Sequence, residues 1–162
     1  MEELDKDVME FFSTLFKPYG LNDLTAKVIG ALYIEPEEVP MEYIAKKTGY
    51  SLASICNTMK MLETLGMAQR IKKPGTNKVF FYMEKELAKL NLMKLHATHN
   101  NFIKPAKETL PLMMDKYRDK ARDEKSKQKL RIMENYYEQL LQFEGILDEF
   151  MKKLEGISKS KA

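Results

Sequence analysis

Residues 40–83 read PMEYIAKKTGYSLASICNTMKMLETLGMAQRIKKPGTNKVFFYM. Two short stretches with helical spacing of apolar residues are separated by Thr48-Gly49, and two β-rich runs are joined by KKPGTN. Pro40 suits the first turn of a helix, where its missing N–H costs nothing. Ile44 and Ala45 can turn inward while Glu42, Lys46 and Lys47 face water. Gly49 adopts positive φ at little cost and can end that helix sharply. Ser51 is a favourable N-cap for the next helix. Ile55, Met59 and Leu62 fall at i, i+4 and i+7 and form one buried stripe. Ala53, Ser54, Asn57, Lys60 and Met61 lie off it. Gly66 can end this second helix. Met67–Lys72 and Lys78–Met83 can then pair as strands, with Pro74-Gly75 at the turn.

Helix, sharp turn, helix and two-stranded wing together are the sequence form of a winged helix-turn-helix, a module that places its second helix in the DNA major groove. Charge points the same way. Residues 1–50 carry 5 basic and 10 acidic side chains, residues 51–83 carry 5 and 1, and residues 84–162 carry 17 and 13. A net charge of +3 thus hides a basic helix and wing behind an acidic N-terminal third, and such a local field attracts phosphate. Ser51, Ala53, Ser54 and Asn57 are the candidate base-facing residues, Asn57 having the chemistry for a bidentate contact to adenine. Lys60, Arg70, Lys72, Lys73 and Lys78 are the candidates for phosphate contact by the helix and wing. The alternative is a winged-helix protein–protein interaction module without specific DNA binding.

The flanks read as helices that build a dimer. Leu4, Val8, Phe11, Phe12, Leu15 and Phe16 predict an amphipathic first helix ended by Lys17-Pro18-Tyr19-Gly20. Asn22 can cap a second helix, with Leu24, Val28, Ala31 and Leu32 inward and Glu35-Pro36 closing it. Residues 84–101 read as helix, with Leu87, Leu90, Leu95 and Phe102 among the apolar positions. Pro105 and Pro111 predict breaks or kinks after it. Residues 118–129, RDKARDEKSKQK, read as a solvated connector or an exposed stretch of helix rather than a nucleic-acid patch, because acidic residues interrupt the cations.

The last helix carries Leu130, Met133, Tyr137, Leu140, Glu144, Leu147, Met151 and Leu154, spaced alternately by 3 and 4. That is a heptad seam with one polar exception, Glu144. Tyr136, Leu141, Phe143 and Phe150 widen it, as suits a helical bundle. The reading is packing both on the preceding helices and on a partner subunit, with Leu130, Met133, Tyr137, Leu140, Leu147, Met151 and Leu154 as the dimer seam.

The expected fold is therefore mainly α with a small β-hairpin wing. A winged helix-turn-helix spans 20–84, helical dimerisation segments span 1–19 and 85–157, and 158–162 form a disordered tail. One cysteine allows no intramolecular disulfide. No apolar run approaches the ~18–20 residues that cross a bilayer, so no membrane association is expected. With no signal peptide in view, the expected location is the cytoplasm. No enzyme activity, metal or cofactor is assigned. His96 and His99 stand at i, i+3, but no Cys or carboxylate is close in sequence. Glu108 could come near in space, but two ordinary helix-surface or interface histidines are the better reading. Cys56 lies within the second helix of the motif and reads as a small residue in a serine-like position, not a redox centre.

The chain also resembles a known family. Gly20-Leu21, AKVIGALYI at 26–34 and YSLASICNTMKMLETLGMAQRIKKPG at 50–75 are similar to the winged helix of the MarR-like regulators, and within them to the GbsR-type branch. Ser51, Ala53 and Ser54 stand at a Ser-x-Gly-Ser-type helix start. Leu62, Glu63, Leu65 and Gly66 match a Leu-Glu-x-Leu-Gly helix end, and Pro74-Gly75 matches the wing. LRIMENYYEQLLQFEGIL, 130–147, is similar to the branch's aromatic C-terminal helix. Thr76-Asn77 replaces the Asp-Arg pair often found at the wing tip, leaving Lys78 or Lys73 to reach the minor groove. The resemblance implies a dimeric transcriptional regulator on double-stranded DNA, with a small-molecule effector such as a quaternary ammonium compound. Aromatic faces hold such cations. Phe12, Phe16, Tyr19 and Tyr33 could converge to do so, though aromatics at helical spacing more commonly build core.

Overall fold

The computed structural model describes residues 2–159. Helix α1 spans Glu2–Phe16 and is followed by a 3₁₀ turn over Lys17–Tyr19. Helix α2 spans Asp23–Ile34, strand β1 Val39–Pro40, helix α3 Met41–Thr48 and helix α4 Leu52–Thr64. Strands β2 (Gln69–Lys72) and β3 (Val79–Tyr82) form the wing. Helix α5 (Leu87–Thr98), a π turn over His99–Ile103, helix α6 (Lys104–Arg118) and helix α7 (Glu124–Lys159) complete the chain. This is the mainly α fold with a small antiparallel sheet that the sequence predicts. The chain divides into two compact units at Leu90/Asn91.

In the first unit the local signals act as read. Asn22 Oδ1 accepts from the Thr25 N–H at 2.8 Å and starts α2. Gly49 ends α3 at φ 77°, a left-handed conformation costly to any side chain. Gly66, at φ 67°, ends α4 in a Schellman arrangement. The Met67 N–H donates to Leu62 O and the Gly66 N–H to Glu63 O. Strands β2 and β3 pair antiparallel from Gln69↔Tyr82 to Lys72↔Val79. The sheet has a third strand that the sequence did not disclose, since β1 lies on the far edge of β3 with Val39 opposite Phe81. Two residues show no alternation to read, and Pro40 is tolerated because it sits at an edge. Val28, Ile29, Leu32, Ile44, Ile55, Met59, Leu62, Phe81 and Met83 form one buried core, each such side chain contributing about 1.5–3 kcal/mol.

Helix α1 turns Val8, Phe12 and Phe16 inward as expected, but its apolar face is shifted. Met9 is buried, whereas Leu4, Phe11 and Leu15 are exposed. The cause lies on α2: a Cβ on Gly30 would come within 2.9 Å of the Met9 Cα. The missing side chain lets the two backbones touch and fixes the rotation of α1 about that contact. Phe12 then stacks on Phe16 and tilts against Tyr33, packed on the core. Tyr19 remains 77% exposed, so these four aromatics are three core-packing residues and one surface residue.

In the second unit, neither Pro105 nor Pro111 ends a helix. Pro105 falls in the first turn of α6, and Pro111 lies inside it. The π turn leads directly into α6, with the Lys104 N–H donating to His99 O. Pro111 forfeits one hydrogen bond in a helix held by packing, since Ile103, Leu140, Leu147 and Met151 form a core that Leu92, Leu95, Ala106 and Leu110 flank. Leu87 and Phe102, expected among the apolar positions, are exposed. Of the stretch 118–129, residues 119–123 form a turn closed by Asp123, which caps α7 by accepting from the Ser126 N–H at 2.9 Å, and 124–129 are the largely exposed first turns of α7. Helix α7 continues to Lys159, and the rest of the expected tail lies outside the described residues.

Candidate nucleic-acid interface

The geometry of α4 begins at its N-cap. Ser51 Oγ accepts from the Ser54 N–H at 3.2 Å and lies 2.9 Å from Ser54 Oγ. The two serines therefore organise the helix start together. Behind them Ile55, Met59 and Leu62 are wholly buried, with Thr58 beside them. Ala53, Asn57, Lys60, Met61 and Thr64 are exposed and recur at helical spacing, so they share the outward face. Sequence alone placed Ser51, Ala53, Ser54 and Asn57 here. At the two ends of the helix Leu52 and Leu65 are 50% and 48% exposed. Cys56 is half-buried on this helix.

The start of α4 is tied to the rest of the first unit by Asp23. Its carboxylate accepts from Tyr50 Oη at 2.8 Å and Ser13 Oγ at 3.0 Å, and pairs with Lys27 at 2.8 Å. The Lys27 ammonium first, and then the Tyr50 hydroxyl, hold the Asp23 carboxyl below its ordinary value. Because Tyr50 immediately precedes the Ser51 cap, α1, α2 and the residue that leads into α4 share one polar node. A second node fixes α3. Lys47, largely buried, pairs with Glu35 and with Asp5 at 3.1 Å, and Tyr43 Oη donates to Glu35 at 2.7 Å. Burial opposes the Lys47 charge, but the two carboxylates outweigh it and hold the ammonium above its ordinary value. No sequence pattern announced either node, because their members are scattered over more than twenty residues.

The five cations expected to meet phosphate divide into two groups. Arg70 Nε and Nη2 donate to the two carboxylate oxygens of Glu63 at 2.8 and 3.0 Å, and the guanidinium lies over the Phe81 ring. Lys73 pairs with Glu38 at 2.8 Å and stands 4.5 Å from the Phe80 ring centroid. Lys60, Lys72 and Lys78 are exposed and enter no ion pair among the described residues. The sequence could not divide them so, since Glu63 and Glu38 reach their partners only through the packing of the sheet. The Arg70 pair is exposed, and such pairs are worth about 0–1 kcal/mol, so an arriving phosphate can displace Glu63.

The other residues named from sequence fall elsewhere. Leu140, Leu147 and Met151 lie in the core of the second unit. Leu154 is buried, and Leu130, Met133 and Tyr137 are half-buried. His99 meets a carboxylate, but it is Glu144 at 3.0 Å, not Glu108. Among the described residues no group of three or more His, Cys, Asp or Glu side chains is placed to hold a metal ion. No described helix is long and apolar enough to cross a membrane.

No protein-family model matches the chain, and no curated protein matches it. The fold does match a solved structure. The crystal structure of a transcriptional regulator superposes with a TM-score of 0.69 at 17% sequence identity, over 94% of this chain and 98% of that one. At that identity the likeness is one of fold: the chain shares a mainly helical architecture with a small antiparallel sheet.

Proposed function

We propose that this protein is a dimeric, sequence-specific DNA-binding transcriptional regulator of the MarR-like, GbsR-type kind. The observation that carries the reading is the division of α4. Its inner face is sealed into the core, while Ala53, Asn57 and Lys60 are exposed, followed in the chain by a wing whose Lys72 and Lys78 are unpaired. Asn57 and the two cap serines read base edges, and Lys60, Lys72 and Lys78 hold phosphates, joined by Arg70 and Lys73 when DNA replaces their carboxylates. A DNA-binding role also fits the transcriptional regulator whose fold this chain shares.

The dimer reading is supported by α7. Besides the stripe packed in the chain's own core, it carries Ile132, Tyr136, Phe143, Ile146 and Phe150, between 43% and 66% exposed. Their spacing of 4, 7, 3 and 4 is a second heptad pattern, and its apolar length suits a second copy. Two copies would present recognition helices to successive major grooves, with half-sites about 34–36 Å apart on a pseudo-palindrome. A gel shift on the DNA upstream of the protein's own coding region, repeated across salt concentrations, tests the reading. Binding that weakens steeply with salt is expected, and absence of binding to any duplex refutes it. Exposed Leu52, Met61 and Leu65 on α4 favour the second reading, a protein-binding winged helix, in that event.

A further inference from the structure

Helices α6 and α7 enclose a cleft near the turn that joins them, with a volume of about 310 Å³. That is the lower end of the range of small-molecule sites, about 300–1,000 Å³. Its apolar lining comes from Met113, Met114, Leu130 and Met133. Thioether side chains are flexible and polarisable, and fit an apolar guest without a fixed shape. Tyr117, Lys120 and Lys129 also line the cleft.

The charges around the cleft are unbalanced. Asp123 is engaged by Ser126, whose N–H and Oγ take one carboxylate oxygen each. Asp115 and Glu134 both face Arg118. Lys120 stands over the Tyr117 ring at 5.5 Å, as Lys116 does at 5.4 Å. Among the described residues neither Lys120 nor Lys129 enters an ion pair. An apolar cleft bordered by two ammonium groups that enter no ion pair among the described residues is complementary to a molecule with an apolar body and one negative end.

We propose that the α6–α7 cleft binds a small amphipathic anion, a carboxylate with an apolar body of medium-chain or single-ring size. The methionine-rich lining takes the body, and Lys120 and Lys129 take the carboxylate. The site lies wholly within the second unit and does not depend on whether the protein binds DNA.

The test uses the full chain carrying ¹³C-methyl methionine, titrated with decanoate, decanol and decyltrimethylammonium. Decanoate is expected to bind saturably and shift the methyl signals of Met113, Met114 and Met133, with decanol weaker and the cation weakest. Lys120→Gln with Lys129→Gln, both on exposed side chains, should leave the thermal melt unchanged and weaken decanoate roughly tenfold, to the level of decanol. Equal binding of the three probes, shifts confined to other methionines, or no saturation overturns the proposal. So does a decanoate affinity untouched by the double substitution. If the three methyl signals instead follow protein concentration and decanoate cannot compete, the cleft is filled by a second copy, and the ligand site is refuted.

Discussion

His99 Nε2 donates to Glu144 Oε1 across 3.0 Å, while Lys107 Nζ donates to the other oxygen at 2.6 Å. This contact explains two oddities at once. Glu144 is the single polar member of the α7 heptad, and it is kept because the π turn delivers a histidine and the first turns of α6 a lysine to meet it. His99, which sequence left as an ordinary histidine, orients that carboxylate from the opposite side.

A pH dependence of stability follows. The Lys107 ammonium, ahead of opposing burial and with help from His99, holds the Glu144 carboxyl below its ordinary value of 4.5. A lowered folded-state value means the stabilisation is fully present above the ordinary carboxylate range and lost as pH falls through the lowered value. Thermal melts of the parent and Glu144→Gln should therefore differ near neutrality, with the parent higher, and converge on acidification. Parallel curves at all pH values would show that the Glu144 charge contributes nothing.

Asn57 and Lys60 occupy the same exposed face of α4 but are assigned different work. Asn57→Ala should cost roughly 1–3 kcal/mol on the cognate site and little on random DNA. Lys60→Ala should weaken both about equally. Competition binding against the two DNAs separates these outcomes, and equal losses for Asn57→Ala would remove it from base reading.

In the proposed DNA complex, Glu63, which holds Arg70 at 2.8 Å in this structure, would compete with a phosphate for the guanidinium. Glu63→Gln should free the guanidinium and raise affinity for any duplex, steepening the log–log salt slope by roughly the 0.9 expected of one added phosphate contact. An unchanged slope would mean that Arg70 stays on the protein when DNA is bound.

Glycines on two helices should respond oppositely to the same substitution. Gly30→Ala places a Cβ 2.9 Å from the Met9 Cα, and the forced shift of α1 should cost about 1–3 kcal/mol. Gly145→Ala on α7 meets nothing within 4 Å and should stabilise by up to about 1 kcal/mol through helix propensity. Denaturant melts read both, and a neutral Gly30→Ala would contradict the close crossing of α1 and α2.

The two stripes of α7 should also part under substitution. Ile146→Asp with Phe150→Asp should leave the fold intact and convert dimer to monomer in sedimentation at micromolar concentration. Leu140→Ala or Leu147→Ala should instead cost about 2–5 kcal/mol of stability, because these side chains are 5% exposed in the chain's own core. A parent that sediments as a stable monomer would end the paired half-site model.

The helix-turn-helix and wing were legible in sequence because their determinants are local. Ser51 and Asn22 cap within three residues, Gly49 and Gly75 take the positive φ their turns require, and Ile55, Met59 and Leu62 declare their buried face by spacing alone. Tertiary structure decided what spacing leaves degenerate. Helix α7 carries apolar residues on more than one face, and the packing of Ile103, Leu95, Ala106 and Leu110 places Leu140 and Leu147 in the core and leaves Ile146 outside. Helix α1 could have buried Leu4 and Phe11, but the absent side chain of Gly30 turns Met9 inward. Arg70 and Lys72 look alike in a charge count, yet one is held by Glu63 and the other is not, because ion pairing depends on distances in space that a linear sequence does not contain.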